Sequence, residues 1–177
     1  NVLMSIIKVF TLLISLFFFS TNLFAENKVA YINVDLILNE SIPAKSLLSQ
    51  LNLIEQKKIK EIKNEEIKLK DEENKILTTK NIISKEEFDI SVDTFQKKVD
   101  LHRKLKDENI QNLKQKRNKE ILRFFNLVNP IIKKIMEKNS IGILIEKKNI
   151  FIAKSNYDIT EIVIEEINKN IKDFLIE

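Results

Sequence analysis

Carboxylates are the side chains that most invite a chemical reading, because Glu65-Glu66 and Asp71-Glu72-Glu73 stand side by side. A carboxylate pair can do general acid/base work when its surroundings split the two pKa values. Both clusters, however, lie in dense runs of Lys, Glu, Leu and Ile, and such runs read as solvated helix faces. His102 is the only histidine and there is no cysteine, which excludes thiol catalysis, disulfides and multi-histidine metal sites. Gly142 is the only glycine, so neither common Gly-rich phosphate loop can be written. Phe88, Phe95, Phe124 and Phe125 fall at helical spacing and read as packing rather than as a base-stacking platform. Nothing assembles a nucleophile, a base and an orienting group. The expectation is a protein that is not an enzyme, with no cofactor and no metal.

The elements that carry these residues are legible from periodicity. Lys28–Val34 is β-branched and aromatic and predicts a strand, with Asp35 as cap of a short helical turn through Leu36, Ile37 and Leu38. Ser41-Ile42-Pro43 predicts a helix start, since proline is tolerated in a first turn. From Ala44 to about Leu77 there is no Gly or Pro, and Leu48, Ile62, Leu69 and Ile76 share one heptad phase that Glu55 interrupts. Leu51, Ile54 and Ile59 widen the stripe. Thr78-Thr79-Lys80-Asn81 breaks it, and Ser84 with Glu87 forms a capping box for a second long helix. Its seam runs Phe88, Val92, Phe95, Val99, His102. After a slip near Lys106 it resumes at Ile110 and Leu113, with a further interruption at Arg117, and continues from Ile121 through Phe124, Val128 and Ile131 to Ile135. Pro130 should bend or loosen this helix. Two long helices with a short break make an antiparallel hairpin.

After Asn139 the texture changes. Residues 141–145 and 150–153 read as strand and strand around a polar turn. Asp158-Ile159-Thr160-Glu161 caps a closing helix whose apolar face is Val163, Ile167, Ile171 and Phe174. Residues 52–118 hold 19 apolar positions in 67, whereas residues 140–164 hold 13 in 25, so the core belongs where the two ends of the chain meet. Residues 43–139 carry 23 Lys and Arg against 16 Asp and Glu, net +7; residues 26–42 and 140–177 carry 6 against 10, net −4. The hairpin is basic and its base acidic.

The first twenty-five residues stand apart. Lys8, the uncharged stretch Val9–Phe19 and the small residue Ala25 before Glu26 have the layout of a secretory signal peptide cut after Ala25. The domain expectation is therefore a signal peptide over 1–25, a discontinuous β-rich body over 26–42 and 140–177, and a helical hairpin over 43–139. The fold class is α+β, with about three strands, a coiled-coil hairpin and a C-terminal helix.

Val29-Ala30-Tyr31-Ile32-Asn33-Val34-Asp35 near the start and Asn156-Tyr157-Asp158-Ile159-Thr160 near the end, in this order around the hairpin, resemble the Skp/OmpH family of periplasmic outer-membrane-protein chaperones. Ser41-Ile42-Pro43-Ala44-Lys45 lies where that family's first long helix commonly begins, although Ala44 stands where the family often has glycine. The resemblance spans residues 28–174. It implies a homotrimer whose strands share a small barrel, with three hairpins around a cavity that holds unfolded outer-membrane β-barrel proteins without ATP. Three strands per chain leave edges that assembly across subunits would cover. The trimer body would include Val29, Tyr31, Ile143, Ile145, Ile150 and Ile152. Client contact would fall to Phe88, Phe95, Leu101 and Leu105 with the cations Lys97, Lys98, Arg103 and Lys104. A basic hairpin suits acidic clients and anionic lipid surfaces. Nucleic acid is a poor partner, because the lysines are interleaved with glutamates. The rival reading is an envelope-anchored coiled-coil adaptor that keeps its N-terminal segment.

Overall fold

The computed structural model describes residues 28–177. The expected signal segment and its cut after Ala25 lie outside the described residues. Strand β1 (Lys28–Ile32) leads into helix α1 (Val34–Glu40), then α2 (Ile42–Thr79), α3 (Lys85–Lys138), β2 (Ile141–Glu146) and α4 (Thr160–Asn170).

Each boundary has a local cause. The cap of α1 is Asn33 rather than Asp35: its side-chain oxygen accepts from the Leu36 N–H at 3.1 Å, and Asp35 sits in the first turn. Asn has the same geometry as Asp for this role, and it stands at the residue where the extended backbone ends. Ser41 precedes α2 but makes no side-chain cap bond there; Asn168 of α4 supplies the acceptor for the Ile42 N–H instead, at 2.7 Å. The Ser84–Glu87 capping box is formed in both directions. Helix α2 has 38 residues and α3 has 54. At 1.5 Å per residue they run about 57 and 81 Å. Pro130 lies on the exposed side of α3 and does not end it. The helix stops at Asn139, and Ser140 takes the left-handed conformation (φ 55°) that usually selects glycine, while Gly142 does not.

Strands β1 and β2 pair in parallel, with Val29 opposite Ile143, Ala30 opposite Leu144 and Tyr31 opposite Ile145. The whole hairpin is the crossover between them. Ala30 and Ile32 face the core with Ile37, Leu47, Phe124, Val128, Val163 and Ile167, all buried. The core does sit where the chain ends meet the base of the hairpin.

Two expectations fail here. Residues 150–153 form no strand: Ile150 is extended (φ −109°, ψ 124°), but Phe151 and Ile152 are solvent-exposed and unpaired. The free edge of β1 is taken by Tyr31 bridging to Asp158 and by Ile159 N–H donating to the Tyr31 carbonyl at 3.0 Å. A β-branched run supplies propensity, but a strand also needs a ladder partner, and among the described residues 150–153 pair with none. The sheet therefore has two strands. The closing helix is also shorter than its apolar spacing predicts. It ends at Asn170, and Ile171 and Phe174 lie on an extended tail.

Candidate functional site

The two arms are joined by polar contacts at the very positions that interrupt the heptads. Arg117 reaches Glu55 at 3.0 Å and Asn52 at 2.9 Å. Lys106 pairs with Glu66 at 2.7 Å, and Lys98 with Glu72 at 2.5 Å. What reads as a thinning of the apolar seam is thus a ladder of cross-arm ion pairs. Hydrogen bonding from Lys106 holds the Glu66 carboxyl below its ordinary pKa, against partial desolvation. His102 is largely enclosed on the same seam, with Nε2 3.9 Å from Glu66 and no hydrogen-bond partner.

The eight side chains expected to meet clients divide in two. Phe88 and Phe95 are half-buried on the seam, whereas Leu101 and Leu105 are exposed at 57% and 46%. The cations are exposed, but each has a carboxylate. Lys97 meets Asp93 at 2.7 Å, Arg103 meets Asp100 at 3.9 Å, Lys104 meets Glu108 at 4.0 Å, and Lys98 is held across the hairpin by Glu72. They form no one-signed patch. Exposed pairs of this kind are weak, so their charges remain exchangeable. The more prominent apolar groups are ones the seam pattern passes over: Ile82 (79%), Ile90 (66%) and Leu53 (64%). Leu53 and Ile90 are detectable as apolar residues off the heptad phase, where a solvated helix would carry polar ones, and Ile82 as an apolar residue in the turn between the helices.

The second surface is the outer face of the sheet. The parallel register puts Val29, Tyr31, Ile143 and Ile145 on the face opposite Ala30 and Ile32. Ile150, Ile152 and Tyr157 complete a groove of about 890 Å³ with Val29, Tyr31 and Ile145. Val29, Ile143 and Ile152 are exposed, and Ile145 and Ile150 half so. Tyr31 differs from its neighbours on this face. It is buried, and burial together with the neighbouring Asp158 carboxylate raises its phenol pKa. Among the described residues no group of three or more His, Cys, Asp or Glu could hold a metal, and no helix is long and apolar enough to cross a membrane.

The family model described as "Outer membrane protein (OmpH-like)" matches residues 28–167, from the first strand into the closing helix. The chain belongs to the OmpH-like family. A crystal structure of an OmpH-like protein from Caulobacter crescentus superposes with a TM-score of 0.74 at 18% identity, covering 83% of this chain and 87% of that one. At that identity the likeness shows the OmpH-like fold alone. No curated protein matches the sequence.

Proposed function

We propose that this OmpH-like chain is an exported, periplasmic holdase that captures unfolded outer-membrane β-barrel proteins in a cavity between helical hairpins, without nucleotide. The observation that carries the reading is the exposure of large apolar side chains along a charged hairpin that projects from a compact base. Ile82, Ile90, Leu53 and Leu101 are each more than half exposed. On a helix pair that packs only against itself such groups have no internal use, and they offer weak, repeated contacts to an unfolded chain. Exchangeable surface pairs add attraction that salt screens over about 8 Å at physiological ionic strength. The Caulobacter neighbour, described as a candidate outer membrane chaperone, supports the same reading.

Three copies joined through the outer sheet face would turn one hairpin into a cage. The uncovered groove with Val29, Ile145, Ile150 and Ile152, and the unpaired strand-like run 150–153, support assembly at this surface. Anionic lipid is a secondary partner consistent with the hairpin's net +7.

The test is light scattering during dilution of a denatured β-barrel protein. Chaperone in stoichiometric amount should suppress aggregation equally with and without ATP. Scattering indistinguishable from that with an inert protein of the same size would sink the reading.

A further inference from the structure

Residues 171–177 run extended across the base of the hairpin and are held there as a bound peptide would be. Phe174 is 3% exposed. Its ring meets Phe124 edge-on at 5.9 Å, and the Arg123 guanidinium lies 4.4 Å from its centroid. Gln50 grips the main chain on both sides of Leu175: its amide nitrogen donates to the Phe174 carbonyl at 2.6 Å, and its oxygen accepts from the Ile176 N–H at 3.3 Å. This reciprocal donor and acceptor is what a neighbouring strand would present, and it reads backbone rather than side chain. Polar ends are met as well. The Ser46 hydroxyl donates to Asp173 at 3.0 Å, and Lys116 donates to the backbone oxygen of Glu177 at 2.5 Å. Arg123 reaches the Glu177 carboxylate at 3.1 Å and also donates to the Leu175 carbonyl. Arg123 is itself fixed by Glu120 at 2.8 Å.

A second cleft adjoins the groove at Lys116. It is open, about 330 Å³, and lies between the arms, walled by Leu51, Ile54, Ile59, Ile110 and Leu113, with Lys114 on its rim. That volume lies at the lower end of the range of ligand pockets, about 300–1,000 Å³. One aromatic socket, one backbone clamp, cationic ends and an adjoining, largely apolar cleft make a complete recognition set for an extended segment.

We infer that this groove binds extended segments of unfolded polypeptide bearing an aromatic residue between acidic ones, and that residues 171–177 are its built-in occupant, displaced when a client enters. The natural competitor's identity rests on the holdase reading; the groove itself does not. An intramolecular occupant acts at an effective concentration in the millimolar range for a short linker. A client segment must therefore also use the cleft, or arrive with other contacts on the arms. The tail sets a threshold for capture.

The experiment uses the full chain and a fluorescent peptide of sequence Lys-Asp-Phe-Leu-Ile-Glu, copied from residues 172–177. Its anisotropy should report binding at least about tenfold tighter to Phe174→Ala than to the parent, because the internal competitor is weakened. Adding Gln50→Ala should remove that gain. A Phe174→Ala chain with parental helicity and thermal unfolding that binds no better than the parent overturns the proposal. If Phe174→Ala fails to fold, hydrogen exchange on the parent decides. On client addition the Ile176 amide, which donates to Gln50, should lose protection while the amides of β2 keep theirs. Clients held with tail protection unchanged overturn the groove and leave the holdase reading standing. Peptide bound by Phe174→Ala, with no suppression of client aggregation by the parent, keeps the groove and removes the holdase.

Discussion

Glu120 places a carboxylate in the base of α3 with 1% of its side chain exposed, and Arg123, one turn on, is its charge partner. One of the two carboxylate oxygens has no hydrogen-bond partner, so the pair depends on that single guanidinium. Arg123→Ala would strand a buried charge and loosen the tail over Phe174. A loss of about 2–4 kcal/mol is expected, toward the lower side of what breaking a buried pair costs, because Arg123 is partly solvated. Urea unfolding checks this, and a loss below 1 kcal/mol would mean that water already reaches Glu120. Ser140 makes the opposite case. At φ 55° a Cβ is strained, so Ser140→Gly should raise stability by about 0.5–1 kcal/mol despite the extra freedom it gives the unfolded chain. A lowered melting temperature would contradict that. At this scale the sequence was partly readable. The Ser84–Glu87 box announces itself by spacing, whereas Asn33 and Asp35 are both capable caps and only the place where β1 ends decides between them. Glu55 and Arg117, 62 positions apart, look like two defects until the hairpin folds them together.

Helices α2 and α3 are held together along most of their length by half-buried seam residues and exposed ion pairs, while the base has a buried core. Amides from about 60 to 115 should therefore exchange much faster than those of β2. Uniform protection would argue for a rigid rod. Acid should widen the difference. The Glu66 carboxyl is depressed below its ordinary 4.5, first by hydrogen bonding from Lys106, so its contribution to stability is complete above that ordinary value. It is lost as pH falls through the lower folded value. Hairpin helicity should thus decline with acidification below the ordinary carboxyl range before the base unfolds. Circular dichroism against pH, read beside the tertiary signal of Tyr31 at the base, checks the order. A base that melts first contradicts it. Helices were legible here because their apolar period is long and repeated. Residues 150–153 and Phe174 were not, because a short apolar run looks alike as strand, helix or extended strap. Its state depends on which partner edge or groove is free, and that is fixed by tertiary placement.

For the whole molecule, the uncovered outer face of the sheet carries the assembly proposal, and the projecting arms carry the client proposal. Ile143 and Ile152 are both well exposed in the single chain, at 56% and 84%, so neither is needed for the fold of one copy. Ile143→Asp or Ile152→Asp should leave monomer helicity intact and shift native mass from the proposed trimer to monomer, because an unpaired charge in an apolar interface is costly. Variants that stay trimeric would place the interface elsewhere. The central claim is that the arms hold the client, and photo-crosslinking tests it most directly. A photoreactive residue is placed in turn at Leu101, at Ile90 and at Glu161, an exposed position on α4, and each chain is mixed with a denatured β-barrel protein. Adducts should form efficiently from positions 101 and 90 and be sparse from 161, whether or not ATP is present. Adducts from position 161 alone, or equally from all three, would contradict capture by the hairpins.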